Sequence, residues 1–193
     1  MATLEKTRVM TPTEFDAYAD LPENTDKVLE FIGGEIVEVP SNRFASKISG
    51  IFFGEIYIFL KQNPIGHLTG EAGGFQVFGE RYAPAVGFTR KENQTEVAKQ
   101  GYDPVPPDLA IEVDFPSTPQ SKDRLRIKVG NYLAAGATVW LAFPETQTIE
   151  VYAPGRPVQI LGINDTLDGG DVLPGFSLPV KDIFVDPLPT ESE

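Results

Sequence analysis

The sequence predicts an α/β (α+β) domain: one mixed β-sheet flanked by helices, with an N-terminal β-hairpin. Two observations carry this class. β-rich runs bounded by Gly and Pro are interleaved with stretches of helical periodicity, in the order helix, hairpin, helix, strands, helix, strands. No internal repeat or low-complexity tract breaks the 193 residues. The chain therefore reads as a single domain over 1–193, with an arm at 1–10, a body at 11–186 and a frayed tail at 187–193.

Each element has a local reason. Thr11, Pro12 and Glu14 have capping-box spacing with Pro at the first helical position, so a short helix starts there and ends before Leu21 and Pro22. Residues 28–32 and 35–39 flank Gly33 and Gly34, which is a hairpin with a glycine turn. Glu30 and Ile32 share one face of its first strand, and Leu29 and Phe31 the other. A glutamate so placed is usually an exposed face residue. Residues 41–62 are helical, with Phe44, Ile48, Ile51, Phe52 and Phe59 as the apolar stripe, and Asn63 and Pro64 end the helix. The glycine-rich stretch 66–79 suits tight strand connections. It matches neither GxxxxGKS/T nor a strand-to-helix GxGxxG, so it is no phosphate loop. Residues 82–89 are a strand candidate, and 91–99 a surface helix or loop.

Residues 107–115 organise the rest. They form a β-rich run behind Pro106 and Pro107. Period-two alternation puts Leu109, Ile111, Val113 and Phe115 on one face and Asp108, Ala110, Glu112 and Asp114 on the other. Three carboxylates on one face of an apolar strand are costly unless something pairs them. The next element offers a partner. Thr118 is a good N-cap, Pro119 fits the first helical position, and Gly136 is a good stop. Leu125, Val129, Tyr132 and Leu133 mark the inward face of this helix, and Lys128 lies along the same stripe. A lysine there either snorkels to solvent or reaches the carboxylates of the preceding strand. Residues 137–143 and 148–152 then form a hairpin with Trp140 in the core. Residues 158–161 add an edge strand, 173–180 are extended, and Ile183 and Phe184 pack back onto the body.

Composition narrows the chemistry. Hydrophobic residues at 41% and charged residues at 23% are ordinary for a globular protein. The absence of cysteine removes disulfides, thiol nucleophiles and thiolate metal sites. A single histidine, His67, excludes a multi-histidine zinc site, and its glycine-rich setting favours a loop or surface role. No apolar run reaches the length of a membrane span and no signal peptide is visible, so the expected address is the cytoplasm. A net charge of −12 argues against a generally basic nucleic-acid surface but permits a local basic cleft. Arg124, Arg126, Lys122 and Lys47 read as ordinary exposed helix charges.

LEFIGGE at 29–35, PDLAIEV at 107–113, Lys128 with Tyr132, AG at 135–136 leading into VWL at 139–141, and LPGFSL at 173–178 occur in order. Taken together they resemble the Uma-two family of restriction-endonuclease-like proteins, with the PD-(D/E)XK nuclease-like fold, from about residue 11 to 184. The resemblance implies a restriction-endonuclease-like mixed sheet and Mg²⁺-dependent hydrolysis of DNA phosphodiesters, with DNA as partner and a homodimer as assembly. In such a site carboxylates hold the ion, the ion polarises the phosphate and activates water, and a lysine orients that water. Carried over, Glu112 is the strand carboxylate, Lys128 the lysine displaced onto the following helix, and Glu30 an N-terminal glutamate that joins the metal ligands.

The departures from the pattern bear on activity. The family's Pro-Asp-Val reads Pro84, Ala85, Val86 here, so the first metal-ligand aspartate is an alanine, and a methyl group cannot coordinate Mg²⁺. Gly33 replaces an acidic residue of the first hairpin. Asp114 occupies the strand position that holds lysine in related nucleases, and it shares a face with Glu112, so it is the candidate substitute ligand. Three readings follow: an endonuclease with impaired or absent activity, an inactive nuclease-fold binding or interaction module, and a buried Glu112–Lys128 pair that only positions a helix.

Overall fold

The computed structural model describes residues 10–39, 42–114 and 118–185. Most of the N-terminal arm, Ser41, Phe115 and the predicted tail lie outside the described residues.

Helix α1 (Pro12–Ala19) starts in the expected capping box, with Thr11 and Glu14 exchanging hydrogen bonds. After a 3₁₀ turn at Pro22–Asn24, strands β1 (Leu29–Ile32) and β2 (Glu35–Glu38) form the hairpin. Both of its turn residues, Gly33 and Gly34, have positive φ (61° and 86°), as a two-residue turn matched to strand twist requires. Helix α2 (Arg43–Gln62) is capped by the Asn42 side chain. Then come β3 (Gly66–Gly70), β4 (Phe75–Val77), β5 (Glu80–Tyr82), β6 (Val86–Arg90) and β7 (Leu109–Val113). Helix α3 (Pro119–Ala134) leads to β8 (Thr138–Phe143), β9 (Thr148–Tyr152) and β10 (Gln159–Leu161). The pair β11 (Thr166–Asp168) and β12 (Ser177–Pro179) precedes α4 (Val180–Phe184).

The strands fall into a six-stranded sheet of order β10-β9-β8-β7-β6-β3, a four-stranded sheet of order β2-β1-β5-β4, and the β11-β12 ribbon. In the six-stranded sheet only β7 and β8 are parallel, and α3 is the crossover between them. Alternation along β7 sorts as read from the sequence. Leu109 and Ile111 join Trp140 and the α2 residues Ile48, Phe52, Ile56 and Leu60 in one core layer. Ala110 faces the second layer, with Val129 and Tyr132 of α3 and Ile32, Phe75, Val77 and Tyr82 of the four-stranded sheet. Phe15, Leu29 and Phe31 form a third cluster under α1. The second layer therefore lies between both sheets and α3, and the candidate residues converge there. No helix among the described residues is long and apolar enough to cross a membrane.

Five local expectations need correcting or narrowing. The single strand expected at 82–89 is two strands in different sheets, parted at Ala83, Pro84 and Ala85, where proline supplies no N–H for a ladder. Phe44 sits in the first turn of α2 and is exposed, whereas Ile56 and Leu60 complete the buried stripe. Residues 173–176 are a tight turn rather than extended chain, closed by Phe176 N–H to Leu173 O at 3.0 Å. Pro174 precedes Gly175 at φ 87° in that turn, the pattern of a type II turn. Residues 91–99 contain no helix, and His67 lies on β3, its Nε2 3.1 Å from Thr95 O.

Candidate active site

The site is built on three elements. Glu30 sits mid-strand in β1 on the same face as Ile32, which points it into the layer between the sheets. Glu112 projects from β7 on the α3 side. Lys128 lies two turns into α3, whose start is fixed by the Thr118–Ser121 capping box. Its end is fixed by Gly136 at φ 89°, with Ala137 N–H bonded to Tyr132 O at 2.9 Å and Gly136 N–H to Leu133 O at 3.0 Å, a Schellman closure.

Lys128 does not snorkel. Its Nζ lies 2.7 Å from Glu30 Oε1 and 2.7 Å from Glu112 Oε1, and all three side chains are buried. Glu30 Oε1 also accepts the Ala83 N–H at 2.8 Å, which ties β1 to the break between β5 and β6. The Tyr132 hydroxyl donates to Glu112 Oε1 at 3.4 Å. The ammonium stands 5.8 Å from the centre of the Tyr82 ring, and the Tyr82 oxygen accepts from the Asn131 amide at 2.7 Å.

One ammonium cannot balance two carboxylates. Burial works against the charge on Lys128, but Glu112 and Glu30 outweigh it and hold its pKa above the ordinary lysine value. Burial pushes Glu112 up to about 7, opposed by Lys128 and reinforced by Glu30. Burial likewise lifts Tyr82 to about 12, and burial with the adjoining Glu112 raises Tyr132.

Ala85 is half-buried and follows directly from the last β6–β7 pair, Val86 with Ile111. One step along an antiparallel register, it is the position across from Glu112. Asp114 lines a groove between α3 and strands β8 and β9, with Lys122 and Arg126. Among the described residues no three His, Asp or Glu side chains converge to hold a metal ion. The donor set does not fit Mg²⁺ as it stands: two carboxylates are engaged by an ammonium, and the residue one register step beyond the Val86–Ile111 pair, opposite Glu112, is an alanine.

Sequence reasoning missed several supporting residues. Asn131 lies three residues after Lys128 and so on a neighbouring stripe, which is the local signal that could have found it. Arg81 is buried and donates to Asp16 from Nε at 2.8 Å and from Nη2 at 2.7 Å, clamping α1 to β5. Asp103 is also buried, and it accepts from the Gln94 amide and from the Ala98 and Val105 N–H groups, organising the 91–105 loop. These partners are remote or irregular in sequence and carry no periodic signature.

The fold is similar to that of a solved structure described as "a putative nuclease belonging to DUF820" from Anabaena variabilis ATCC 29413. The TM-score is 0.76 at 22% identity, over 91% of this chain and 97% of that one. At that identity the likeness establishes the restriction-endonuclease-like fold. A search of curated proteins gives no match. The Uma2 family model, described as "Putative restriction endonuclease", matches residues 15–181. The match spans most of the sequence, both sheets and all three residues of the ion cluster, and the chain belongs to the Uma2 family.

Proposed function

We propose that this chain is a restriction-endonuclease-fold protein that engages DNA, and that its Mg²⁺-dependent phosphodiester hydrolysis is impaired or lost. The observation that carries the reading is the occupancy of the site. Lys128 Nζ sits 2.7 Å from both Glu30 and Glu112, where a cation shared by two carboxylates would sit, and continuing the β6–β7 register one step past Val86 and Ile111 sets Ala85 opposite Glu112. A hydrated, weakly held divalent ion depends on the number of its oxygen ligands. Here it would have to displace a buried ammonium and accept one ligand fewer. Bound in a competent site, the ion would polarise phosphate and activate water. Without it, Glu112 and Lys128 have no activated nucleophile to direct. Asp114, on the groove side of α3, does not make up the shortfall.

Plasmid relaxation in Mg²⁺ or Mn²⁺ tests this, comparing the chain as given, Ala85→Asp, and Ala85→Asp with Lys128→Ala. The expected outcome is no cleavage by the chain as given and increased metal binding by Ala85→Asp. Robust cleavage by the unmodified chain, abolished by Glu112→Ala, refutes it. DNA binding without cleavage identifies the inactive binding module. The same reading carries a cytoplasmic location and, by family resemblance, a homodimer, which sedimentation equilibrium tests.

A further inference from the structure

We propose that the groove between α3 and strands β8 and β9 binds a nucleoside monophosphate whose base carries an amino group. Helix α3 packs on β8, and beside that contact a groove of about 590 Å³ opens over β9. That volume falls in the range of small-molecule sites. A free amino acid would leave most of it to water, whereas a base, ribose and phosphate fill it.

The lining has three chemistries. Phe143 and Tyr152 supply aromatic surface and Leu125 and Val129 aliphatic surface, a bed for a flat ring. Glu150 alternates with Ile149, which faces the core, so it lies on the side of β9 turned toward α3, where a packed strand would carry apolar residues. It is held in place by the Tyr152 hydroxyl, which donates to its Oε2 at 2.7 Å. Asp114 lines the groove as well. Carboxylate oxygens accept hydrogen bonds, so a ligand edge that donates, as an exocyclic amine does, suits them. Lys122 and Arg126 stand one helical turn apart on α3 and supply the opposite charge for a phosphate. The Arg126 contact with Asp123 is long, at 3.5 Å, and exposed, so exchanging it for an anion costs little. The pocket thus carries carboxylates on its strand side, basic side chains on its helix and apolar side chains on both. It adjoins the ion cluster, since Leu141 pairs with Glu112 across β7 and β8, but it uses none of Glu30, Glu112 or Lys128. The proposal therefore does not depend on whether hydrolysis is lost.

Gly130 gives the test its sharpest variant. It lines the groove, and a Cβ built there meets nothing within 4 Å. Gly130→Leu adds a bulky side chain at the groove's lining while replacing a poor helix former with a good one. Calorimetric titration of AMP, CMP, UMP, adenosine and inorganic phosphate into the full chain, Gly130→Leu and the double variant Lys122→Ala/Arg126→Ala reads the outcome, with melting curves to confirm folding. AMP and CMP should bind, and UMP roughly tenfold more weakly because it lacks the amino donor. Gly130→Leu and the double variant should each lose roughly tenfold or more for AMP. No binding of AMP or CMP at millimolar concentration, equal binding of UMP, phosphate alone matching AMP, or undiminished binding by Gly130→Leu each overturns the assignment.

Discussion

Lys128→Met is the most direct test of how the ion cluster is held. Methionine preserves most of the stem volume, so the change removes the charge rather than the packing. What remains is Glu30 and Glu112, both buried, with the ammonium that stood 2.7 Å from each taken away. Breaking a buried pair by removing one partner costs about 3–5 kcal/mol, because the survivor is left desolvated and unpaired. Here two survivors repel one another, so the upper half of that range is expected near pH 8. For a chain of this size that is a fall in Tm of roughly 8–20 °C. The loss should shrink toward pH 5, because burial already raises the Glu112 pKa and removing the ammonium that opposes this lets Glu112 take up a proton more readily. The triple variant Lys128→Met/Glu30→Gln/Glu112→Gln should recover most of the loss, since neutral amides need no counterion. Urea denaturation of all three proteins at pH 5 and pH 8 reads the result. A loss under about 1 kcal/mol, or one that does not change with pH, would show that the carboxylates find solvent or other donors and that the cluster is not closed.

Three further outcomes are expected. In the unaltered chain Glu112 has a folded pKa of about 7, above its unfolded value near 4.5. Its contribution is therefore fully present below about pH 4.5 and is lost as pH rises through 7, an effect of up to about 3 kcal/mol that Glu112→Gln should flatten in a stability-against-pH series. Asp16→Ala strands the buried Arg81 guanidinium and should cost about 2 kcal/mol by urea titration, less than for a fully buried pair because Asp16 is partly open to water. Phe78 holds φ at 49° while 67% exposed, so Phe78→Asn should raise stability by about 1 kcal/mol, and a loss instead would mean that its ring makes contacts worth more than the strain.

What was legible in the sequence was local. The Thr11 and Thr118 caps, the paired glycines at 33 and 34, the stop at Gly136 and the alternation in 109–113 all depend on neighbouring residues and appear where expected. The division into two sheets was not legible, because it turns on whether β5 pairs with β1 or with β6, a choice made by long-range packing. Glu30 shows why burial is harder to read than facing. Alternation put it with Ile32, but only the closure of α3 over β1 makes that face an interior. Lys128 was ambiguous for the same reason. Its helix stripe was plain, while the choice between snorkelling and pairing depended on a glutamate 98 residues away. Arg81 with Asp16, 65 residues apart, left no trace a local pattern could carry.

The charge count of the cluster links its stability to its chemistry. Glu30, Glu112 and Lys128 fully ionised sum to −1 in a buried layer; burial first, and the Glu30 charge after it, raise the Glu112 pKa against the pull of Lys128, and one proton there brings the layer to neutrality. An aspartate at position 85 would take the ionised sum to −2. One proton no longer neutralises that layer, whereas a divalent cation does, and it would find a third oxygen ligand across from Glu112. The alanine is then the departure from a metal site, and the lysine that the family resemblance places on α3 takes on the task of balancing the carboxylates. Once the aspartate is absent, the most economical way to hold the two remaining carboxylates in an apolar layer is a fixed cation carried by the chain itself. A lysine on the inward stripe of α3 supplies it, 2.7 Å from each.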